Sequence, residues 1–91
     1  GITPRGQSAN YVKEGFFDLE GALPSNTDGG LKCTGHPTAC TGLKSIHEAY
    51  KQQQHKCGDR QVRDPKLSLI HSQGGWPGLY VTAATVLGPR D

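Results

Sequence analysis

The sequence predicts an α/β fold laid out as loop, helix, strand, strand. Three observations point to it. Apolar residues recur at helical spacing over residues 41–54, two runs of strand composition follow at 66–72 and 79–87, and a Gly- and Pro-rich joint separates those runs. No internal repeat and no low-complexity tract interrupts this order.

Residues 1–30 are rich in Gly, Pro, Ser and Asn, and their apolar anchors are Tyr11, Val12, Phe16 and Phe17. The segment is expected to be mostly loop, with at most a short strand or a turn of helix. So long a loop is unusual in a compact domain, so the segment is expected to pack on something outside this chain. The helix and strand part is expected in residues 31–91.

Residues 41–54 form the best helix. Thr41 is a fair N-cap, and Leu43, Ile46, Ala49 and Tyr50 share one face. Glu48 and Lys51 lie three apart on the side expected to be exposed. Gly58 is the expected stop. In the first strand, Leu67 and Leu69 share a face. The second strand, Leu79 to Leu87, is apolar, small or Thr on both faces, as in a strand covered on both sides. Gln73 to Gly78 reads as the hairpin-type turn between them.

The bulk numbers limit what such a chain can do. It has 91 residues, 33% of them hydrophobic, and 13 are Gly. A chain this short buries a modest share of its surface, and Gly adds backbone entropy to lose, so poor stability alone is expected. It starts at Gly1 and contains no Met, as expected of a processed chain or a segment of a longer one. The net charge of +2, with scattered basic residues, gives no electrostatic case for nucleic acid. The most apolar stretch, Leu79 to Leu87, is too short to span a bilayer. Three cysteines, Cys33, Cys40 and Cys57, argue against a closed disulfide framework and favour a reducing compartment. No signal-peptide pattern opens the sequence.

Four candidate chemistries can be weighed on the residues alone. In Gly35-His36-Pro37, the proline holds His36 extended just ahead of a helix N-terminus. That is a good location for a base or an oxyanion donor, although a lone His before Pro carries no chemistry by itself. Cys33, His36, Cys40, His47, His55 and Cys57 invite a zinc reading. Cys33-x-x-His36 suits half a site, but His55-x-Cys57 would be awkward to aim, and no metal is assigned. Gly29-Gly30 and Gly74-Gly75 match neither a phosphate loop nor a dinucleotide fingerprint, and tight turns explain them better. His71 and Ser72 are strand neighbours that point to opposite faces, so they cannot easily pair as base and nucleophile.

Three ordered segments carry a resemblance. Asn26-Thr27-Asp28-Gly29-Gly30-Leu31, with Gly35-His36-Pro37 and Thr41-Gly42, resembles the stretch around the catalytic histidine of thiolases. Gln53 to Val62 resembles the helix end and loop that follow in the sterol-carrier-protein-x and archaeal acetyl-CoA acetyltransferase branch. Leu69-Ile70-His71-Ser72-Gln73-Gly74-Gly75 resembles the final active-site loop of that branch. The match covers most of the chain from about residue 10.

The resemblance implies the end of the second of two α/β halves: a loop, a helix and two antiparallel closing strands of a mixed sheet. It implies an acyl-CoA acyltransferase that makes or cleaves a carbon–carbon bond beside a CoA thioester. His36 would be catalytic and raise the thiolate fraction of a cysteine nucleophile. Gly35, Pro37, His71, Ser72, Gly74 and Gly75 would contact substrate. No metal or cofactor is implied, since the CoA thioester is itself the substrate. Expected partners are acyl-CoA, the rest of a thiolase chain and, at full length, further copies of it. The expected location is cytoplasmic, or peroxisomal in a eukaryote.

Departures from the pattern bear on activity. The nucleophilic cysteine belongs to the first half of the family's fold, and Cys33, Cys40 and Cys57 do not stand in its context. Ser72 occupies the position of a second cysteine found in many thiolases, and a hydroxyl is too weak an acid to replace it as a base. The resemblance to the sterol-carrier-type branch implies that an upstream cysteine takes that role, so Ser72 is compatible with that branch. Ala39-Cys40 stands where the family usually reads Gly-Ala, which adds a methyl where close approach is expected. The alternative is therefore a non-thiolase, thiolase-like subunit of lipid-transfer or aldolase type, acting with a small acyl-CoA-binding partner.

Overall fold

A computed structural model describes residues 1–89. The last two positions of the expected 1–91 segment lie outside the described residues. The α/β order holds. Three helices, α1 (Ser8–Lys13), α2 (Gly30–Thr34) and α3 (Thr41–Gln53), precede a 3₁₀ turn at Gly58–Arg60 and the hairpin β1 (Ser68–Trp76) and β2 (Leu79–Leu87). No helix among the described residues is long and apolar enough to cross a membrane.

The N-terminal part folds around its own aromatic residues. Tyr11 and Phe16 meet edge to face at 4.9 Å between centroids, and Phe16 meets Phe17 at 5.0 Å. Val12, expected as a fourth anchor, points outward at 63% exposure. The chain turns back over Phe16 at Gly21, where a Cβ would collide with the carbonyls of Gly15 and Phe16.

The buried face of α3 is not the expected apolar one. Ala49 and Gln52 are buried, whereas Leu43 and Tyr50 are 69% and 53% exposed. Gln52 is buried because every polar atom of its amide has a partner. Its nitrogen donates to the Arg60 carbonyl at 2.8 Å and to Glu48, and its oxygen accepts from Val62 N at 2.9 Å. The helix also ends before Gly58. His55 takes the left-handed conformation (φ 55°), His55 N donates to Gln52 O, and Lys56 N donates to Lys51 O. That pair of bonds is a Schellman motif, with His55 where glycine is usual.

The strands pair antiparallel from Ser68↔Leu87 to Trp76↔Leu79. β1 thus runs through Gln73-Gly74-Gly75, which the sequence placed in the turn. The turn itself is Pro77-Gly78: proline sets a negative φ, and Gly78 supplies φ 86°. Gly75 is required inside the strand. It has φ 121°, and a Cβ there would strike the Leu79 carbonyl across the hairpin.

α3 covers one face of this sheet. Gln53 Nε2 donates to Ser68 Oγ at 2.9 Å, Ile70 is buried, and Ser72 Oγ lies beside Gly42. The opposite face carries Leu69, Tyr80 and Val86, each more than half exposed. Leu67, just ahead of β1, and Leu69 are both exposed, and Ile70 is the buried residue of this strand. Likewise β2 is not covered on both faces within the described residues.

Candidate functional site

His36 sits on the turn between α2 and α3, and that turn is built from backbone rules. Gly35 ends α2 at φ 79°, ψ 172°. Pro37 holds the next step extended and accepts Cys40 N at 3.2 Å, closing a β-turn over Thr38 and Ala39. Ala39, third in that turn, has φ 63°. Such a position favours glycine. The departure at Ala39 thus also bears on backbone handedness, since alanine here takes a positive φ on an exposed turn.

Two hydrogen bonds aim the imidazole. Thr41 Oγ1 lies 2.6 Å from His36 Nδ1 and donates to the Pro37 carbonyl at 3.2 Å. Thr41 was expected to cap α3. Instead it is the first helical residue. The N-cap is Cys40, which has helical dihedrals and makes no side-chain cap bond. The hydroxyl expected to cap the helix holds the histidine.

Behind the turn, Lys44 of α3 clamps the preceding loop. Its Nζ lies 3.0 Å from Asp28 Oδ2 and donates to Thr34 Oγ1. Asp28 Oδ1 accepts Gly30 N at 2.9 Å and so starts α2. Burial pushes the Asp28 carboxyl up, but the Gly30 N–H and Lys44 outweigh it and hold it below the usual carboxylate range.

One turn further along α3, Glu48 forms a denser knot. It accepts Arg60 Nε at 3.2 Å and Arg60 Nη2 at 3.0 Å, together with Thr27 Oγ1 and Gln52 Nε2. Burial raises the Glu48 carboxyl, yet bonds from Arg60, Gln52 and Thr27 bring it down to about 2. The expected Glu48–Lys51 surface pair gives way to this bridge, in which Glu48 is 14% exposed. Cys57 is buried here, its thiol pushed up by burial and by the Glu48 charge, so it is poorly suited as a nucleophile.

The remaining candidates divide by strand face. Ser72 rests against Gly42, 3.4 Å from where a Cβ on that glycine would sit, immediately after the Thr41 that holds His36. Gly74 follows on the same face, in open space. The His71 side chain leaves from the opposite face, which Gly75 shares. A cavity of about 1120 Å³ opens elsewhere, between the loop around Leu23, α3 and the start of β1, and His71 is the one candidate residue that lines it. Among the described residues no three His, Cys, Asp or Glu side chains gather where they could hold a metal ion. Thr41, Lys44 and Asp28 were not singled out in the sequence as site residues. Only the Asp28-Gly29-Gly30 turn pattern hinted at one of them.

A family profile described as thiolase C-terminal domain-like matches residues 1–88. The chain belongs to the thiolase C-terminal domain family. It is 32% identical over 78 residues to the acetyl-CoA acetyltransferase of Methanothermobacter thermautotrophicus, covering 86% of this chain and 20% of that protein. It is 37% identical over 82 residues to sterol carrier protein 2 of Homo sapiens, covering 90% of this chain and 15% of that protein. A further relative, 28% identical over 76 residues, is the benzoylsuccinyl-CoA thiolase subunit BbsB of Thauera aromatica, matched over 82% of this chain and 20% of that protein. The chain thus spans a fifth or less of the length of these relatives. No solved structure matches it.

Proposed function

We propose that this thiolase C-terminal segment carries the histidine wall of an acyl-CoA acyltransferase, which forms or thiolytically cleaves a carbon–carbon bond beside a CoA thioester. The observation that carries the reading is His36, held by Thr41 at the first turn of α3 within the segment that resembles the family's histidine motif. In this reading His36 takes the proton of a cysteine thiol supplied by the rest of the chain, and the thiolate attacks the acyl carbon. Gly35, Pro37, Ser72 and Gly74 border the substrate, while His71 and Gly75 contribute backbone only. The CoA thioester is substrate, and no cofactor is needed. The full-length protein is a homo-oligomer of the cytoplasm, or of the peroxisome in a eukaryote, and does not bind nucleic acid.

Acetoacetyl-CoA thiolysis by the full-length protein tests this. His36→Asn should lower kcat by on the order of 10²- to 10⁴-fold, with the thermal melt unchanged. An unchanged kcat would overturn the assignment, and so would turnover by residues 1–91 alone.

Ser72 supports a second reading. A serine in that position cannot act as the second thiolate base, as a non-thiolase subunit of lipid-transfer or aldolase type would tolerate. A stable complex with a small acyl-CoA-binding partner, together with carbon–carbon cleavage that consumes no free CoA, would select this reading over the first.

A further inference from the structure

We infer that Thr41 is a positioning residue that fixes the tautomer of His36, placing the ring proton on Nδ1 and leaving Nε2 as the working nitrogen. The inference rests on the proposed role of His36, but its geometry stands independently. The Thr41 hydroxyl has one proton and two neighbours, His36 Nδ1 at 2.6 Å and the Pro37 carbonyl at 3.2 Å. The carbonyl can only accept. If the hydroxyl proton went to Nδ1, two oxygen lone pairs would face each other across the second contact. One arrangement satisfies both contacts: Nδ1–H donates to Oγ1, and Oγ1–H donates to the Pro37 carbonyl.

Nε2 then holds the free lone pair. It can take a proton from a thiol, giving thiolate and imidazolium, and later return it. The Nδ1–H bond to Thr41 is the same in neutral and protonated rings, so the ring keeps its aim through both steps. Thr41 does this from the first turn of α3, where its register is set by the helix.

The test is the tautomer itself, read from long-range ¹H–¹⁵N correlations of histidine-labelled full-length protein at a pH where His36 is neutral. The wild type and Thr41→Ser should show His36 protonated at Nδ1. Thr41→Val should move the proton toward Nε2, lower kcat by on the order of 10²-fold and leave KM within about twofold, with Thr41→Ser near wild type. An Nε2–H tautomer in the wild type would overturn the inference, even if Thr41→Val fails to fold. A tautomer indifferent to Thr41→Val would do the same. If the tautomer follows Thr41 but thiolysis is absent, the assignment of Thr41 stands and the acyltransferase reading fails. If thiolysis depends on His36 while the tautomer ignores Thr41, the reverse holds.

Discussion

At the scale of single residues, Asn26, Ala39, His55 and Asp64 occupy backbone conformations that suit glycine, and two of these shape the site and its helix. Ala39 (φ 63°) closes the turn that carries His36, and His55 (φ 55°) terminates α3. A Cβ in the left-handed region costs about 1–2 kcal/mol, and glycine's extra freedom in the unfolded chain offsets part of that. Ala39→Gly should therefore raise stability by about 0.5–1 kcal/mol in urea unfolding. A loss of stability would mean that the turn relaxes around the methyl. Glu48 lends itself to a pH test. Its carboxyl lies at about 2 against an ordinary value of 4.5. The sign follows: the bridge to Arg60 stabilises the fold fully above pH 4.5, and that contribution is lost as pH falls toward 2. Glu48→Gln should cost about 1–2 kcal/mol at pH 7 and flatten this acid limb. The low end of that range applies because Arg60 is 42% exposed and stays hydrated without its partner. Little of this was legible beforehand. Glu48 and Arg60 are twelve residues apart, and nothing local joins them.

At the scale of elements, α3 is the organiser. Its first turn holds His36 through Thr41, its second clamps Asp28 through Lys44, and its third receives Arg60 through Glu48. The helix was readable from its spacing, but its buried face was not. Periodicity marks apolar residues, and α3 buries Gln52, whose partners come from Thr27, Arg60 and Val62. The hairpin shows the same limit. Glycine at 73–78 suggested a broad turn, whereas Gly75 lies within β1 and only Pro77-Gly78 turn the chain. Gly75→Ala should destabilise the hairpin by about 1–3 kcal/mol, because the methyl meets the Leu79 carbonyl and φ is 121°. Gly74→Ala, which faces open space, should leave stability unchanged or raise it by up to about 1 kcal/mol. Equal losses from both substitutions, measured by far-UV circular dichroism during urea unfolding, would contradict this account of the strand.

At the scale of the molecule, too little apolar surface is buried. The accessible surface is 7304 Å², against about 5,100 Å² for a self-contained monomer of 9.7 kDa. The radius of gyration, 14.2 Å, exceeds the roughly 12 Å of a compact domain of this length. Leu69, Tyr80 and Val86 on one sheet face, with Leu43 and Tyr50 on α3, are among the apolar side chains left open. Residues 1–91 alone should therefore melt broadly and at low temperature, with a calorimetric enthalpy that does not match the van't Hoff value. A sharp, cooperative, high-temperature transition would count against the view that these faces require cover.

The sequence by itself determined the class, the order of helix and strands, the family and the histidine on its proline-held turn. Those features follow from local rules of spacing, φ preference and motif. Tertiary structure alone decided which face of α3 is buried, which face of β1 carries Ser72, and that Thr41 serves His36 instead of capping its helix. A hydroxyl chooses between a backbone N–H and an imidazole by distance and angle, and those are set only once the turn has closed over Ala39.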